Sequence, residues 1–238
     1  TRQTGIIIPI GSAEQHGPMG LIGTDSLCPE IIAEEAAKRF ECMIGPTLSI
    51  GMAQHHLAFP GSISLRPSTL MAVVKDVVFS LARTGFTHMY FLNGHGGNIA
   101  TVNAAFSEIY SEFSFGRMSE CPRPVCRLAN WFTLEGIRPK VRELFGDRDG
   151  SHATASEISV TQHGYPDHIR SMDATPAPKW VRAFTDADDY RALYPDGRMM
   201  SDSFLATPEA GQTLVDIAAK ALVADYQRFL AVDLGEVS

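Results

Sequence analysis

Six residues in separate parts of the chain have side chains that bind metal ions or exchange protons. These carboxylates and imidazoles are Glu14, His16, Asp25, His95, His152 and Glu157. Glu14 and His16 lie two positions apart, so in an extended chain both side chains point to the same side. Glycines on both sides of His95 allow the backbone to approach a bound centre closely. The residues are therefore candidates for a metal site or for acid–base chemistry.

The number of these groups favours two metal ions over one. Mixed carboxylate and imidazole ligands suit zinc, manganese or iron. Three carboxylates and two or three imidazoles are too many for one ion with an open position, whereas two ions sharing a carboxylate would use them all. Two such ions, about 3.5–4 Å apart, bind a bridging water and lower its pKa towards neutrality. The set predicts a hydroxide nucleophile that needs no serine or cysteine.

Ordinary structural roles remain open for the same residues. Glu14 alone is typical of a solvated loop acid, and Asp25 alone of a helix N-cap. The glycines around His95 can form a simple turn or cradle a phosphate. However, the sequence contains no GxGxxG motif, no P-loop lysine and no Gly-x-Ser-x-Gly elbow. These absences argue against a nucleotide site and against a serine hydrolase.

Short apolar runs alternate with stretches of helical period along most of the chain. Strands are expected at 6–10, 42–44, 62–65, 88–92 and 123–129. Helices are expected at about 25–39, 68–84, 99–113, 154–163 and 208–229. This alternation predicts one α/β domain over 1–238 with a mainly parallel sheet, and with an irregular excursion at about 165–205. Ligands bind such sheets at the carboxyl ends of the strands, where several candidate residues follow.

Composition and charge exclude several classes of protein. Hydrophobic residues make up 45% and charged residues 20% of the chain, which argues against disorder. The net charge of −7 and the lack of a Lys/Arg run argue against a nucleic-acid partner. The sequence contains no run of 18 apolar residues, so it predicts no membrane span. Four cysteines without CxxC spacing predict reduced thiols and a cytoplasmic location.

The segments around the candidate residues resemble the creatininase family of amidohydrolases. The matching stretches, in family order, are 9–18 with 24–25, 59–64, 93–98, and 151–153 with 157–159. The resemblance implies a three-layer α/β/α fold and two divalent metal ions, zinc or manganese, with iron as a further candidate. It also implies that a metal-bridging hydroxide hydrolyses a linear or cyclic amide C–N bond.

The resemblance implies a role for each residue of the set. Glu14 and His95 would bind one ion and His16 and Glu157 the other, with Asp25 shared between them. His152 matches the catalytic histidine that transfers protons at the amide. Creatininase has a further glutamate ligand two residues after its Asn-Gly-His histidine, where this chain has Gly97. Glu157 is then the expected replacement ligand.

Four further residues are expected to contact the substrate. His55 and His56 precede Phe59, in a segment that lines the pocket mouth in the family. Trp131 falls where the family places the first of two tryptophans that enclose creatinine, and Arg148 stands at the position of the second. The incomplete aromatic wall predicts that creatinine is not the preferred substrate. Arg148 would favour an anionic amide.

The expected partners are a small-molecule amide substrate and further copies of the chain, since relatives often assemble as hexamers. Neither a nucleic acid nor a membrane is expected. A formamide or peptide hydrolase of a cofactor-biosynthesis pathway is the same-class alternative. A non-catalytic small-molecule binder on the same scaffold and a metal-free sugar- or nucleotide-binding protein are the alternatives from other classes. Metal content and turnover of an amide panel separate these hypotheses.

Overall fold

A computed structural model describes residues 4–117 and 121–232 of the chain. Within these residues, the central sheet has three parallel strands in the order β1 (Gly5–Ile10), β2 (His88–Asn93) and β3 (Val125–Asn130). Ile10 aligns with Asn93, and Asn93 aligns with Asn130. The three strands therefore end side by side, and the segments that follow them begin at one edge of the sheet.

Seven α-helices accompany the sheet in the described part of the chain. They are α1 (Thr24–Ala37), α2 (Pro67–Arg83), α3 (Asn98–Ser114), α4 (Ile137–Phe145), α5 (Ala155–Gly164), α6 (Ala187–Leu193) and α7 (Pro208–Leu230). Ile7 belongs to a buried apolar cluster with residues of α1, α5 and α7. Ile6 and Ile8 belong to a second cluster with residues of α2 and α3. The fold is thus the expected three-layer α/β/α arrangement.

The local sequence explains the elements that carry the site. Every residue of β1 is buried, as is usual for a parallel strand covered by helices on both faces. Buried residues of α2 recur every four positions from Leu70 to Ala82, and Pro67 at its start has the backbone angle that a helix needs. The hydroxyl of Thr207 accepts a hydrogen bond from the Ala210 amide and caps α7.

Some elements differ from the sequence expectation. Within 42–44 and 62–65, the described structure has isolated bridges, from Ile44 to Ile7 and from Ile63 to Ala13. Each segment is followed within two residues by a proline, Pro46 or Pro67, which has no amide hydrogen to continue a ladder. The helix α4 was not expected, because it contains Pro139 and has mostly charged residues between its apolar ends. The short helix α6 lies inside the segment expected to be irregular. No described helix is both long and apolar enough to cross a membrane.

Candidate metal centre

The six residues with ligand-type side chains meet at the carboxyl end of the sheet. Glu14 and His16 follow β1, and His95 follows β2. Asp25 lies in the first turn of α1 and Glu157 in the first turn of α5. His152 lies shortly before α5, and all six are buried or nearly so. The cluster therefore brings together distant parts of the chain, since Glu14 and Glu157 are 143 positions apart.

At two glycines, the backbone of one loop lies very close to a neighbouring segment of the cluster. A Cβ atom on Gly94 would lie 1.9 Å from the carbonyl oxygen of Asp25, so only glycine lets β2 end this close to α1. The amide of Gly20 donates to the carbonyl of His16 at 3.0 Å and closes the turn after β1. A Cβ on Gly20 would lie 2.3 Å from the Cβ of His16. The glycines therefore set the spacing between the β1 loop, the β2 loop and α1.

The carboxylate of Asp25 lies between two imidazoles. Its Oδ1 is 3.2 Å from His16 Nε2, and its Oδ2 is 3.0 Å from His95 Nδ1. His95 Nδ1 also lies 3.4 Å from Glu14 Oε1, and His16 Nε2 lies 3.9 Å from Glu157 Oε1. Each oxygen of Asp25 therefore faces a different imidazole–carboxylate pair, which is the arrangement of a carboxylate shared by two ions.

Among the described residues, three groups have ligand atoms within 4.8 Å of one another. Two of these groups contain Asp25, one with Glu14 and His95 and the other with His16 and Glu157. They are the two sets that the family resemblance implies for two ions. The third group joins His152 to Glu14 and His16. It offers an alternative in which His152 binds a metal ion instead of transferring protons.

Buried carboxylate oxygens test whether these residues fit a cation. Oε2 of Glu14 is buried and has no hydrogen-bond partner among the described residues, and the groups close to Glu14 Oε1 and Asp25 Oδ2 are imidazole nitrogens, with His56 Nε2 3.1 Å from the first and His95 Nδ1 3.0 Å from the second. Leaving a carboxylate oxygen buried and unpaired is costly, and a bound cation removes the cost. Oxygen and imidazole donors together suit zinc, manganese or iron. The donor set therefore fits divalent metal ions.

The electrostatics of the cluster also favour bound positive charge. Burial alone would lower the pKa of His16, but the carboxylates of Asp25 and Glu157 raise it to about 10. Burial likewise opposes protonation of His95, whose pKa Glu14 and Asp25 raise to about 10. Burial would raise the pKa of Asp25, but His16 and His95 hold it well below its usual range. Without metal, the cluster therefore holds protons where cations would bind.

Burial raises the pKa of the Glu157 carboxyl to about 7, while His16 opposes this shift. Glu157 also has a structural role in the capping box of α5. Its Oε1 accepts a hydrogen bond from the Thr154 amide at 2.6 Å, and its own amide donates to Thr154 Oγ1 at 3.2 Å. The capping box fixes the side chain at the start of the helix, facing His16.

Gln15 sets the orientation of His56 and His152. The Nε2–H of His152 donates to the carbonyl of Gln15 at 2.7 Å, which leaves its Nδ1 unprotonated and 3.6 Å from Glu14 Oε1. The side-chain amide of Gln15 donates to the carbonyl of Gly197 at 3.0 Å and to His56 Nδ1 at 2.9 Å. Gln15 lies between Glu14 and His16 in the sequence, and this position is the signal that could have identified it as a residue of the site.

His56 and His152 stack with ring centroids 4.2 Å apart. Burial lowers the pKa of His56 to about 3, and burial with the neighbouring His56 lowers the pKa of His152 well below its usual value. Burial and His56 also lower the pKa of His55 to about 4. All three imidazoles are therefore neutral near pH 7, which leaves His152 Nδ1 able to accept a proton.

A cavity of about 510 Å³ opens in front of the cluster. Its wall includes His55, His56 and Trp131, three of the four residues expected to contact substrate. The fourth residue, Arg148, does not contribute to the wall of this cavity. It pairs with Asp202 at 2.7 Å and stacks on Phe204, with its guanidinium carbon 5.3 Å from the ring centroid.

Sequence patterns did not mark four other residues of the cavity wall. They are Arg138 and Arg142 of α4, with Tyr190 and Met199 from the chain after α5. The two arginines lie on a helix that periodicity does not predict. Tyr190 and Met199 lie in the 165–205 segment, which returns to the site through long-range contacts. Such contacts cannot be recognised from a pattern in the local sequence.

Comparisons with known proteins agree with the fold. An α/β/α sandwich with carboxylates and imidazoles at its strand ends defines a class that includes metal-dependent hydrolases. The family model for creatininase, described as creatinine amidohydrolase, matches residues 1–226. The chain therefore belongs to the creatininase family of amidohydrolases.

Curated relatives carry several different names. The creatinine amidohydrolase of Pseudomonas putida is 25% identical over 228 residues, 91% of this chain and 86% of that protein. A 3-dehydro-scyllo-inosose hydrolase of Thermotoga maritima is 26% identical over 66% of this chain and 48% of its own length. The mycofactocin precursor peptide peptidase of Mycolicibacterium smegmatis is 25% identical over 69% of this chain and 59% of its own length.

Solved structures of creatininase share the fold. One creatininase structure superimposes with a TM-score of 0.83, covering 96% of this chain and 91% of that chain at 20% identity. A manganese form superimposes with a TM-score of 0.81 at 21% identity, covering 95% of this chain and 91% of that chain. A Zn–Zn form of a mutant gives 0.82 at 20% identity, with coverages of 95% and 91%.

Proposed function

We propose that the protein is a metal-dependent amidohydrolase that cleaves a linear or cyclic amide C–N bond other than an ordinary peptide bond. The observation that carries the proposal is the position of Asp25, whose two oxygens face His16 and His95 separately. Family membership over residues 1–226 supports the same reaction class.

The proposed metal ligands are the five residues of the two groups that share Asp25. Glu14 and His95 would hold one divalent ion, and His16 and Glu157 the other. Zinc or manganese suits these donors, with iron as a further candidate. When bound, two such ions polarise an amide carbonyl and lower the pKa of water, so that water becomes a nucleophile near neutral pH.

His152 is the proposed proton carrier. Its Nε2–H is engaged by the Gln15 carbonyl, so any proton it transfers passes through Nδ1, on the side of Glu14. Because burial keeps the ring neutral near pH 7, Nδ1 accepts a proton when the nucleophile forms. It then donates that proton to the leaving nitrogen, which cannot depart as an anion. Gln15 and His56 hold the ring in the orientation this requires.

A peptide hydrolase is the second candidate. The observation that favours it is the cavity of about 510 Å³, which has room for more than a small lactam. The similarity to a mycofactocin precursor peptide peptidase also supports a peptide substrate. A non-catalytic binder has less support, because all the ligand-type residues are present and buried together.

The decisive experiment is elemental analysis of the purified protein, followed by an amide, lactam and short-peptide panel. We expect two divalent ions per chain and turnover of an amide. A chelated sample should lose turnover, and adding metal back should restore it. Full activity after complete chelation would contradict the proposal, and turnover of peptides alone would favour the second candidate.

The remaining parts of the proposal concern assembly and location. We propose a homo-oligomer, with a hexamer as the expected state, to be measured by light scattering after gel filtration. The four cysteines are free, which supports a reducing compartment such as the cytoplasm. A monomer at micromolar concentration would contradict the proposed assembly.

A further inference from the structure

Two arginines lie in the wall of the cavity in front of the metal-binding cluster. Arg138 and Arg142 are separated by one turn of α4, so their side chains leave the same face of the helix. Arg138 makes no ion pair with any described residue. Arg142 lies 3.4 Å from Asp147, but the two side chains are 77% and 87% exposed, so this pair is weak.

The carboxylates of the cavity wall do not neutralise these arginines. Asp25 and Glu157 belong to the ligand set, where bound divalent ions would offset their charge. Asp149 accepts hydrogen bonds from the amide and hydroxyl of Ser156 at 2.8 and 2.9 Å and forms no ion pair with either arginine among the described residues. With the metal site filled, two arginines face the single remaining carboxylate of the wall, so the wall keeps a net positive charge.

The rest of the wall includes apolar surface. Trp131, Phe132 and Val141 contribute side chains to the cavity. Two of these side chains are aromatic and the third is aliphatic, so they suit an apolar part of a bound molecule. The cavity therefore combines the two cationic side chains of α4 with apolar surface.

We propose that Arg138 and Arg142 bind an anionic group of the substrate, a carboxylate or a phosphoryl group, and that an apolar part of the substrate packs against Trp131. Guanidinium groups form paired hydrogen bonds with both kinds of oxyanion. The inference rests on the proposed amidohydrolase function and names its substrate class, an amide that carries a negative charge away from the scissile bond.

The test compares two amides that differ in charge at one end. N-benzoylglycine carries a carboxylate and N-benzoylglycinamide does not. For each compound, benzoate release gives KM and calorimetric titration of the metal-loaded protein gives Kd. N-benzoylaminomethylphosphonate, titrated in the same way, distinguishes a phosphoryl-binding site from a carboxylate-binding one. The variants are Arg138→Gln and Arg142→Gln. Lys140→Gln is the control, since Lys140 lies on the same helix, pairs with Glu143 and is outside the described lining.

Each arginine variant should raise KM and Kd for N-benzoylglycine about tenfold, the effect of losing a charged hydrogen bond. The neutral amide and the Lys140→Gln control should show wild-type values. Added salt should weaken anion binding to the wild type, because the arginines are exposed. Both arginines lie on the surface of α4, so the variants should fold, and circular dichroism checks this.

The outcomes separate this inference from the proposed function. Turnover of both amides with equal KM in the wild type overturns the anion site and leaves the amidohydrolase proposal standing. Arginine-dependent binding of N-benzoylglycine without turnover of any amide supports the anion site and overturns the proposed reaction. Undetectable binding of all three compounds to the wild type, or equal effects of the arginine and lysine variants, overturns the inference.

Discussion

At the residue scale, Glu157 combines two roles that a single substitution separates. It is a proposed metal ligand and also the glutamate of the capping box of α5. Glutamine serves equally well in a capping box but is a poor ligand for a divalent cation. We therefore expect Glu157→Gln to keep the stability of the helix and to reduce metal content from two ions towards one, measured by elemental analysis.

Thr154→Ala is the matched control for this prediction. It removes the hydroxyl that accepts from the Glu157 amide and should lower the free energy of unfolding by about 0.5–2 kcal/mol. The carboxylate of Glu157 remains, so metal content should not change. Two ions bound to the Glu157→Gln variant would remove Glu157 from the ligand set.

His152 is placed to act either as a proton carrier or as a metal ligand, and one substitution distinguishes the two roles. The geometry fits a proton carrier, and the group that it forms with Glu14 and His16 also fits a metal site. We expect His152→Asn to retain both ions and to lose about 10²–10⁴ in kcat, the usual contribution of general acid–base catalysis. Metal analysis and steady-state kinetics on the same sample decide, because loss of an ion would make His152 a ligand.

The raised pKa values of His16 and His95 predict how the metal-free protein responds to pH. Both groups have a pKa of about 10 in the folded chain and an ordinary value of 6.5. Their protonated forms stabilise the folded state fully below pH 6.5, and this contribution is lost as pH rises towards 10. The Tm of chelated protein should therefore fall between pH 6.5 and 10.

Calorimetry at several pH values checks this prediction. Saturating divalent metal should remove most of the alkaline decrease, because the metal ions replace the protons of both imidazoles. A Tm of chelated protein that stays constant or rises over this range would contradict the proton-holding cluster.

At the scale of elements, the contact between the β2 loop and α1 positions the site. A Cβ on Gly94 would meet the Asp25 carbonyl at 1.9 Å, whereas a Cβ on Gly96, two residues later, would meet nothing within 4 Å. Gly94→Ala should therefore push the loop away from α1 and separate His95 from Asp25. We expect a loss of about 1–3 kcal/mol in the free energy of unfolding, with reduced metal content.

Gly96→Ala is the control from the same loop. Alanine there reduces the freedom of the unfolded chain, so the free energy of unfolding should stay equal or rise by about 0.4–1 kcal/mol. Denaturant unfolding and metal analysis of both variants test the pair. Equal destabilisation by the two substitutions would show that the close approach at Gly94 is not what holds the loop.

The same scale shows why some elements can be predicted from sequence and others cannot. The apolar run before Gly11 and the i, i+3, i+4, i+7 spacing of apolar residues in α2 are local patterns, and they predict β1 and α2 closely. The helix α4 lacks such a pattern, because Pro139 and its charged neighbours face water or the cavity. The segments 42–44 and 62–65 have strand-like composition, but prolines follow closely and each segment forms a single bridge in the described structure.

The site shows a similar division. Glu14, His16 and His95 are recognisable because glycines and ligand-type side chains occur together near strand ends. The cavity wall depends on packing between distant segments, so Arg138 and Tyr190 could not be assigned from sequence. Arg148 was expected to contact substrate, and its pairing with Asp202 depends equally on a contact across 54 positions.

At the scale of the whole molecule, the cavity bears on the choice of substrate. Trp131 is an aromatic side chain of the wall, and position 148 holds an arginine paired with Asp202. One missing aromatic partner removes about 0.5–1.5 kcal/mol of stacking for a flat ligand. We therefore expect creatinine to be a poor substrate. Steady-state kinetics that gave kcat/KM for creatinine above about 10⁴ M⁻¹s⁻¹ would contradict this prediction.

The 165–205 segment is attached to the site by specific contacts. The Gly197 carbonyl accepts from Gln15 Nε2 and from the Tyr190 hydroxyl, at 3.0 and 2.9 Å. Met199 and His152 exchange backbone hydrogen bonds in an antiparallel bridge. The guanidinium of Arg198 is buried against Asp196. The segment therefore forms a fixed part of the wall, although its sequence lacks helical or strand period over most of its length.

This arrangement has a consequence for how such enzymes diversify. The proposed metal ligands all lie before residue 158, whereas Tyr190 and Met199 of the wall come from a later segment with few regular elements. Changes in that segment that keep the contacts of Gly197 with Gln15 and of Met199 with His152 can reshape the wall and leave the reacting centre intact. The relatives carry three different names, after creatinine, 3-dehydro-scyllo-inosose and a mycofactocin precursor peptide. New specificities can then arise by replacing one stretch of polypeptide while inherited chemistry is preserved.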